Sequence, residues 1–267
     1  MTQLDAPVLL EIEKGVAVVT LNRPRSMNAL AEDVLAALQE IWDGLASNRE
    51  VKVVILRGAG DHFCAGHNLK EMTARRADSD GGQEYFNALF ATCSKMMLSI
   101  VNLPQPVSAE VKGIATAAGC QLVATCDLAV AAEDARFATS GVNIGLFCST
   151  PMVALSRNIA RKKAMEMLLL GDFVPAQEAQ QMGLINRVAP RDQLEEASMA
   201  MARKIADKAP VAIKIGKRAF YEQSYMPLAD AYAYTGAAMA ENMMARDTEA
   251  GIDAFIHKQP MPEWTGE

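Results

Sequence analysis

The stretch GIATAAGCQLVATCD, Gly113 to Asp127, constrains this chain more than any other. From Ala115 to Cys120 no side chain is larger than threonine, and an apolar run follows with a single amide, Gln121, inside it. A strand-length apolar segment, PVSAEV, precedes it. An earlier segment, VKVVILRGAGDHFCAGHNLKEM, repeats the plan of buried strand, small residues and helix start. Small residues allow a ligand or a second backbone to approach the main chain closely. The first N–H groups of a helix have no internal partner and lie at the positive end of its dipole. Two such amides aimed at one point make an oxyanion hole, worth ~3 kcal/mol per donor to an enolate or tetrahedral anion. Tight helix packing accounts for small residues equally well, and spacing alone favours it.

The rest of the chain reads as alternating elements. VLLEIEK and VAVVTLN are strands joined at Gly15, and NRPRSMNAL is a loop. Apolar residues recur at helical spacing from Ala31 to Ser47. VKVVILRGA is a strand apolar enough to be buried on both faces. RRADSDGGQ is polar and glycine-containing, an exposed and mobile segment, and a helix from Glu84 to Leu103 stops before Pro104. QPVSAEVKG and DLAVAAEDARFA are strands flanking the small-residue stretch. Beyond Thr150 the pattern is mainly helical, ending in a Met- and Ala-rich segment from Ala209 to Glu267. Strands joined by helices, with helices gathered at the end, predict an α/β fold with a helical C-terminal extension.

Composition sets limits on partners. A net charge of -6 argues against general affinity for nucleic acid or anionic membranes. No apolar run reaches the roughly 18 residues of a membrane span. The start, MTQLDAPVLLEIEKG, lacks a signal-peptide pattern, so a cytoplasmic protein is expected. The five cysteines and three histidines make no metal-ligand spacing. No metal or cofactor is expected.

FCAGHNLKEM is similar to the FxAGxDLKEM segment of the crotonase (enoyl-CoA hydratase/isomerase) superfamily, and KGIATAAGCQLVATCDLAVAAEDARFA resembles its NGxAxGGGxELAxxCDxxxAxxxAxF segment. FVPAQEAQQMGLINRV resembles its xxxAxEAxxxGLVNxV. The likeness covers nearly the whole chain. It implies a spiral of ββα units over residues 1–205, a C-terminal helical oligomerisation region over 206–267, and a homotrimer or dimer of trimers acting on a coenzyme A thioester. Carried over residue by residue, the oxyanion donors are the backbone N–H groups of His67 and Ala118. Alanine at 117 and 118, where the family has glycine, keeps the amide and adds Cβ atoms to the acyl pocket.

Two positions depart from the pattern. Family hydratases carry glutamates where this chain has Gln121 and Gly141. Hydration needs one group to take a proton from water and one to deliver a proton to carbon; an amide has no usable pKa and glycine no side chain. Efficient syn hydration is therefore not expected. The imidazole of His67 is a candidate acid or base if it faces the thioester, and AGH also occurs in family decarboxylases. Asn68 replaces an aspartate that is commonly structural.

Cys148, Ser149 and Thr150 fall where some members carry an alternative acid, and Cys148 with His67 is a conceivable nucleophile–base pair; an apolar setting favours core packing. Asn143 has no direction fixed by sequence. For the coenzyme, the resemblance points to Arg25, Met27, Ala29, Ala65, Gly66, Asn68, Leu69, Lys70 and Lys258, and to RRADSDGGQ as a segment over the acyl end. Three functions follow: an enolate-stabilising enzyme running isomerisation, decarboxylation or hydrolysis; a weak enoyl-CoA hydratase of fatty acid metabolism; and a non-catalytic acyl-CoA-binding protein.

Overall fold

A computed structural model describes residues 6–267; the start Met1–Asp5 lies outside the described residues. Strands β1 (Val8–Glu13) and β2 (Val16–Leu21) form an antiparallel hairpin. Its two turn residues, Lys14 and Gly15, both have positive φ (49° and 81°), the geometry whose twist matches the flanking strands. Helix α1 (Glu32–Ala46) carries the chain to β3 (Val53–Gly58), which pairs parallel to β2. Helices α2 (Leu69–Ala74) and α3 (Gln83–Asn102) lead to β4 (Val107–Val111), parallel to β3.

The small-residue stretch then supplies β5 (Ile114–Thr116) and α4 (Ala118–Thr125), and β6 (Leu128–Ala132) returns beside β4. Segment 128–138 does not form one strand: after a turn, β7 (Arg136–Ala138) leaves the main sheet and pairs with β5. Helices α5 (Ser149–Asn158) and α6 (Arg161–Leu170), strand β8 (Val174–Pro175) and helix α7 (Ala176–Met182) precede β9 (Arg187–Ala189), which closes the large sheet beside β6. The sheet order is β1-β2-β3-β4-β6-β9, with a second sheet β5-β7-β8. Tracts as short as β5, β8 and β9 carry too few residues to show a period, which is why the sequence did not announce them.

Both faces of the large sheet are covered. Along β3, Val54 and Leu56 enter the main core with Trp42, Phe63 and Met96, whereas Val53 and Ile55 pack against Ala202 and Ala206 of α8 (Leu194–Ala206). Alternate side chains of a strand point to opposite faces, so a strand buried on both needs a continuous apolar run.

The chain beyond α8 continues as α9 (Pro210–Gln223), α10 (Leu228–Met243) and α11 (Arg246–Ile256). Helix α9 is fixed to the sheet by a buried cluster around Asp127. Lys217 Nζ donates to Asp127 Oδ2 (2.7 Å) and to the Ile100 and Gln105 carbonyls (both 3.0 Å). Tyr221 donates to Asp127 Oδ1 (2.8 Å), and the Val107 N–H donates to Oδ2 (2.7 Å). Burial lowers the Lys217 ammonium's pKa, and the Asp127 carboxylate opposes that shift.

The expected loose segment RRADSDGGQ is exposed but has internal order. Asp80 accepts from the Gly82 and Glu84 N–H groups at the start of α3, and these bonds hold its carboxyl below the usual range. The Arg75 and Arg76 guanidinium groups lie over the Tyr85 and Phe86 rings.

Candidate functional site

Two loops meet because glycines let them. Thr116 N–H donates to the Cys64 carbonyl (3.0 Å), and the N–H groups of Phe63 and Cys64 share the Ile114 carbonyl (both 3.1 Å). A Cβ on Gly119 would lie 2.1 Å from the Cys64 carbonyl oxygen, and one on Gly113 would lie 2.2 Å from that of Asp61. No side chain fits at either position without moving the backbone. A third loop joins them: Ala65 N–H donates to Met27, and Leu30 N–H to Gly66. Buried Asn28 locks it, donating to the Ala59 and His62 carbonyls and accepting from Arg23 N–H. His62 holds the second loop in turn, its Nδ1 accepting from Ile114 N–H (3.3 Å).

These loops and the start of α5 enclose a cavity of about 350 Å³. Its lining includes Ala65, His67, Leu69, Ala117, Ala118, Gly141, Cys148, Ser149 and Thr150. Among the described residues, no Asp, Glu, Lys or Arg lines it. Apolar side chains that the sequence did not single out complete the wall: Met72, Phe90, Ile144, Leu146, Phe147 and Pro151. Phe90 and Met72 sit at core-facing helical positions, a pattern shared by cavity wall and core alike, so only the fold distinguishes them.

Two backbone donors in this lining are free. Among the described residues neither the His67 nor the Ala118 N–H donates to a protein acceptor. They are close in space, since a Cβ on Gly66 would stand 3.2 Å from the Ala118 nitrogen and 3.0 Å from the Ala117 Cβ. Gly66 itself has φ +90°, open to glycine at little cost. Ala117 has φ 51° and ψ -119°, a glycine-like conformation that costs an alanine ~1–3 kcal/mol. That strained residue turns the chain into α4 and leaves Ala118 as its first residue.

The His67 ring lines the cavity edge-on to Phe90 (centroids 5.7 Å apart, 73° between planes). Nδ1 and Nε2 are both shielded from solvent and neither has a hydrogen-bond partner among the described residues. Burial lowers the ring's pKa, and the Leu30 backbone opposes this shift.

Other expected site residues are placed differently. Gln121 is buried on α4 outside the cavity lining, its Oε1 without a partner among the described residues. Gly141 lines the cavity, but a Cβ there would lie 2.3 Å from the Leu146 carbonyl oxygen and 2.9 Å from Cys148 Sγ. The loop has closed over the space a side chain would need. Asn143 turns away and donates to the Gly171 carbonyl (3.2 Å).

Ser149 donates weakly to the Phe147 carbonyl (3.4 Å), and Ser140 and Thr116 share a hydroxyl bond (2.8 Å). Burial raises the Cys148 thiol's pKa, and no hydrogen bond joins it to His67 among the described residues. A nucleophile–base pair is not formed.

Asn68 caps α2, accepting from Lys70 N–H (3.2 Å) and donating to Glu71 (2.8 Å). This is an N-cap, with the Glu71 carboxylate holding the Asn68 amide in place. Ala29 is buried, while Arg25, Met27, Lys70 and Lys258 are exposed and outside the cavity lining. Arg25 and Met27 lie on the 3₁₀ turn Pro24–Ser26 and its C-cap, and Lys258 follows α11.

Sequence comparison matches residues 11–267 to the enoyl-CoA hydratase/isomerase family. The chain is 45% identical over 253 residues to the human mitochondrial enoyl-CoA hydratase domain-containing protein 3, covering 95% of this chain and 82% of that one. The crystal structure of an enoyl-CoA hydratase from Mycobacterium smegmatis superposes with a TM-score of 0.92 at 51% identity, covering 97% and 98% of the two chains. The crystal structure of the human domain-containing protein 3 gives 0.91 at 43%, covering 96% and 99%.

Proposed function

The chain belongs to the enoyl-CoA hydratase/isomerase family, and from that membership we propose that it binds an acyl-CoA thioester and stabilises its enolate. The donors are the backbone N–H groups of His67 and Ala118. The observation that carries this is an uncharged cavity holding two main-chain donors that have no acceptor of their own among the described residues. Donors held in place in advance stabilise developing negative charge without reorganising. The missing acceptor is the thioester oxygen.

Efficient syn hydration does not fit this lining. No carboxyl group reaches the cavity from the described residues, Gln121 is not among the lining residues and Gly141 has no room for a side chain. Isomerisation, decarboxylation and hydrolysis of an acyl-CoA remain as the reactions for such a site. Weak enoyl-CoA hydration is the second proposal, favoured by the name of the Mycobacterium smegmatis relative and by the unpartnered His67 ring.

Arg25, Met27, Ala29, Lys70 and Lys258 are proposed to meet the coenzyme outside the acyl cavity, the cationic ones facing its phosphates. Assembly as a homotrimer or dimer of trimers is part of the same proposal. Exposed apolar side chains on the C-terminal helices support it, among them Tyr232, Met239, Met244 (86% exposed) and Phe255 (76% exposed). Apolar area of this kind marks a contact surface. Among the described residues no helix is long and apolar enough to cross a membrane.

Thermal shift with a panel of acyl-CoA thioesters, alongside loss of enoyl absorbance, tests the proposal. A raised Tm is expected, with hydration of a short enoyl-CoA at least ~100-fold below an ordinary hydratase, the minimum that a general acid–base pair contributes. A normal hydration rate overturns the exclusion of hydration. No shift across the panel overturns acyl-CoA binding, and a shift without any turnover assigns a binding protein.

A further inference from the structure

We propose that the His67 imidazole is the proton carrier of this site, exchanging a proton with the α-carbon of the bound acyl group. This rests on the acyl-CoA proposal above and adds the group that makes and quenches the enolate.

The geometry singles out this ring. Both its nitrogens are shielded from solvent and unpartnered among the described residues, at a cavity whose other polar side chains are engaged or inert. Leaving a buried donor or acceptor unpaired costs ~1–3 kcal/mol, so the arrangement fits a bound group that supplies the contact. Ser140 is committed to Thr116 and Ser149 leans on the Phe147 carbonyl. The Thr150 hydroxyl is no base near neutral pH, and the Cys148 thiol is held protonated by burial.

The titratable groups on elements around the ring include Asp61, His62 and Cys64 on its own loop, Lys70 and Glu71 on α2, Glu84, Tyr85, Cys93 and Lys95 on α3, Cys120 on α4, and Cys148 and Arg157 at and along α5. None is a charged influence on the ring, whose state follows from burial and the Leu30 backbone. Burial disfavours the imidazolium, leaving a lone pair available at neutral pH.

The step balances within the complex. The Cα–H bond breaks, its proton bonds to an imidazole nitrogen, and the electron pair moves onto the thioester oxygen between the His67 and Ala118 amides. Return of the proton to carbon restores the acyl-CoA. In deuterated water the imidazolium N–H exchanges with solvent, so deuterium appears at Cα without net reaction.

The experiment follows deuterium uptake into a saturated acyl-CoA by mass spectrometry, with binding measured separately by thermal shift. The whole protein is compared with His67→Ala and His67→Gln, both of which keep the main-chain N–H. The expected result is exchange in the unaltered protein, a loss of at least ~100-fold in both variants, retained binding, and partial rescue of His67→Ala by added imidazole.

In the unaltered protein, exchange is expected to fall on acidification, with a midpoint below the ordinary histidine value of about 6.5. That profile decides the matter if the variants fail to fold. Undiminished exchange in His67→Ala, or binding without exchange in the unaltered protein, overturns the role of the ring and leaves the oxyanion proposal standing. Absence of binding overturns the acyl-CoA proposal itself.

Discussion

Around Asp127 the buried charges are answered: the carboxylate meets an ammonium, a phenol and a main-chain N–H, and Lys217 spends its remaining donors on two carbonyls. Around His67, near the other end of α4, two main-chain amides and two ring nitrogens have no partner among the described residues. Both regions are largely removed from water, so the same rule applies to each: a buried polar group needs a partner. The first finds its partners within the chain and serves to dock α9 onto the sheet. The second leaves its main-chain donors and ring nitrogens beside an open cavity, where a ligand can meet them.

The contrast breaks most visibly at Lys217. Lys217→Ala strands Asp127 in the interior and is expected to cost ~3–5 kcal/mol, the range for half of a buried pair; chemical denaturation measures it, and a cost under 1 kcal/mol would mean the cluster is wetter than its contacts imply. Next in size is Gly119→Ala, whose Cβ runs into the Cys64 carbonyl. Overpacking against backbone is expected to lower stability by about 3 kcal/mol and to reduce acyl-CoA binding, because the two amide-bearing loops must separate.

The His67 side of the comparison is sharpened by pH. The unfolded chain takes up a proton at this residue near pH 6.5, the folded chain only at lower pH. Between those values the unfolded state binds more protons, so stability falls as pH drops through the window, by up to ~1.4 kcal/mol per pH unit. His67→Phe removes that contribution, and parallel denaturation midpoints for the two proteins below pH 6.5 would show that the ring is not buried neutral. The smallest effect is expected at Gln121, whose Oε1 is buried without a partner. Gln121→Met should leave stability unchanged or raise it by about 1 kcal/mol; a clear loss would reveal a hydrogen bond to buried water.

Much of this was legible from the residues. The hairpin, the two-faced strand β3 and the long helices follow from periodicities visible within a short window, whereas the convergence of the two small-residue loops was carried by the resemblance. A structural role for Asn68 follows from the resemblance, and the structure places it as the N-cap of α2. By contrast, the split of 128–138 between two sheets depends on where β5 lies, a partner 22 residues upstream of β7 in register. The positions of Gln121 and Gly141 resisted for a related reason. Resemblance located both at a site, but the direction of α4 and the closure of Leu146 over Gly141 set what each can reach.

The sequence by itself determined the α/β element order, the family and the stripping of side chains from Ala115 to Cys120, since composition and spacing act over a few residues at a time. Only the tertiary structure decided that Asp127 belongs to a docking cluster with Lys217, ninety residues away, and that His67 lies dry and unpartnered against Phe90. Burial and pairing are sums over neighbours drawn from distant parts of the chain, and a chemical role in a low-dielectric site depends on those sums.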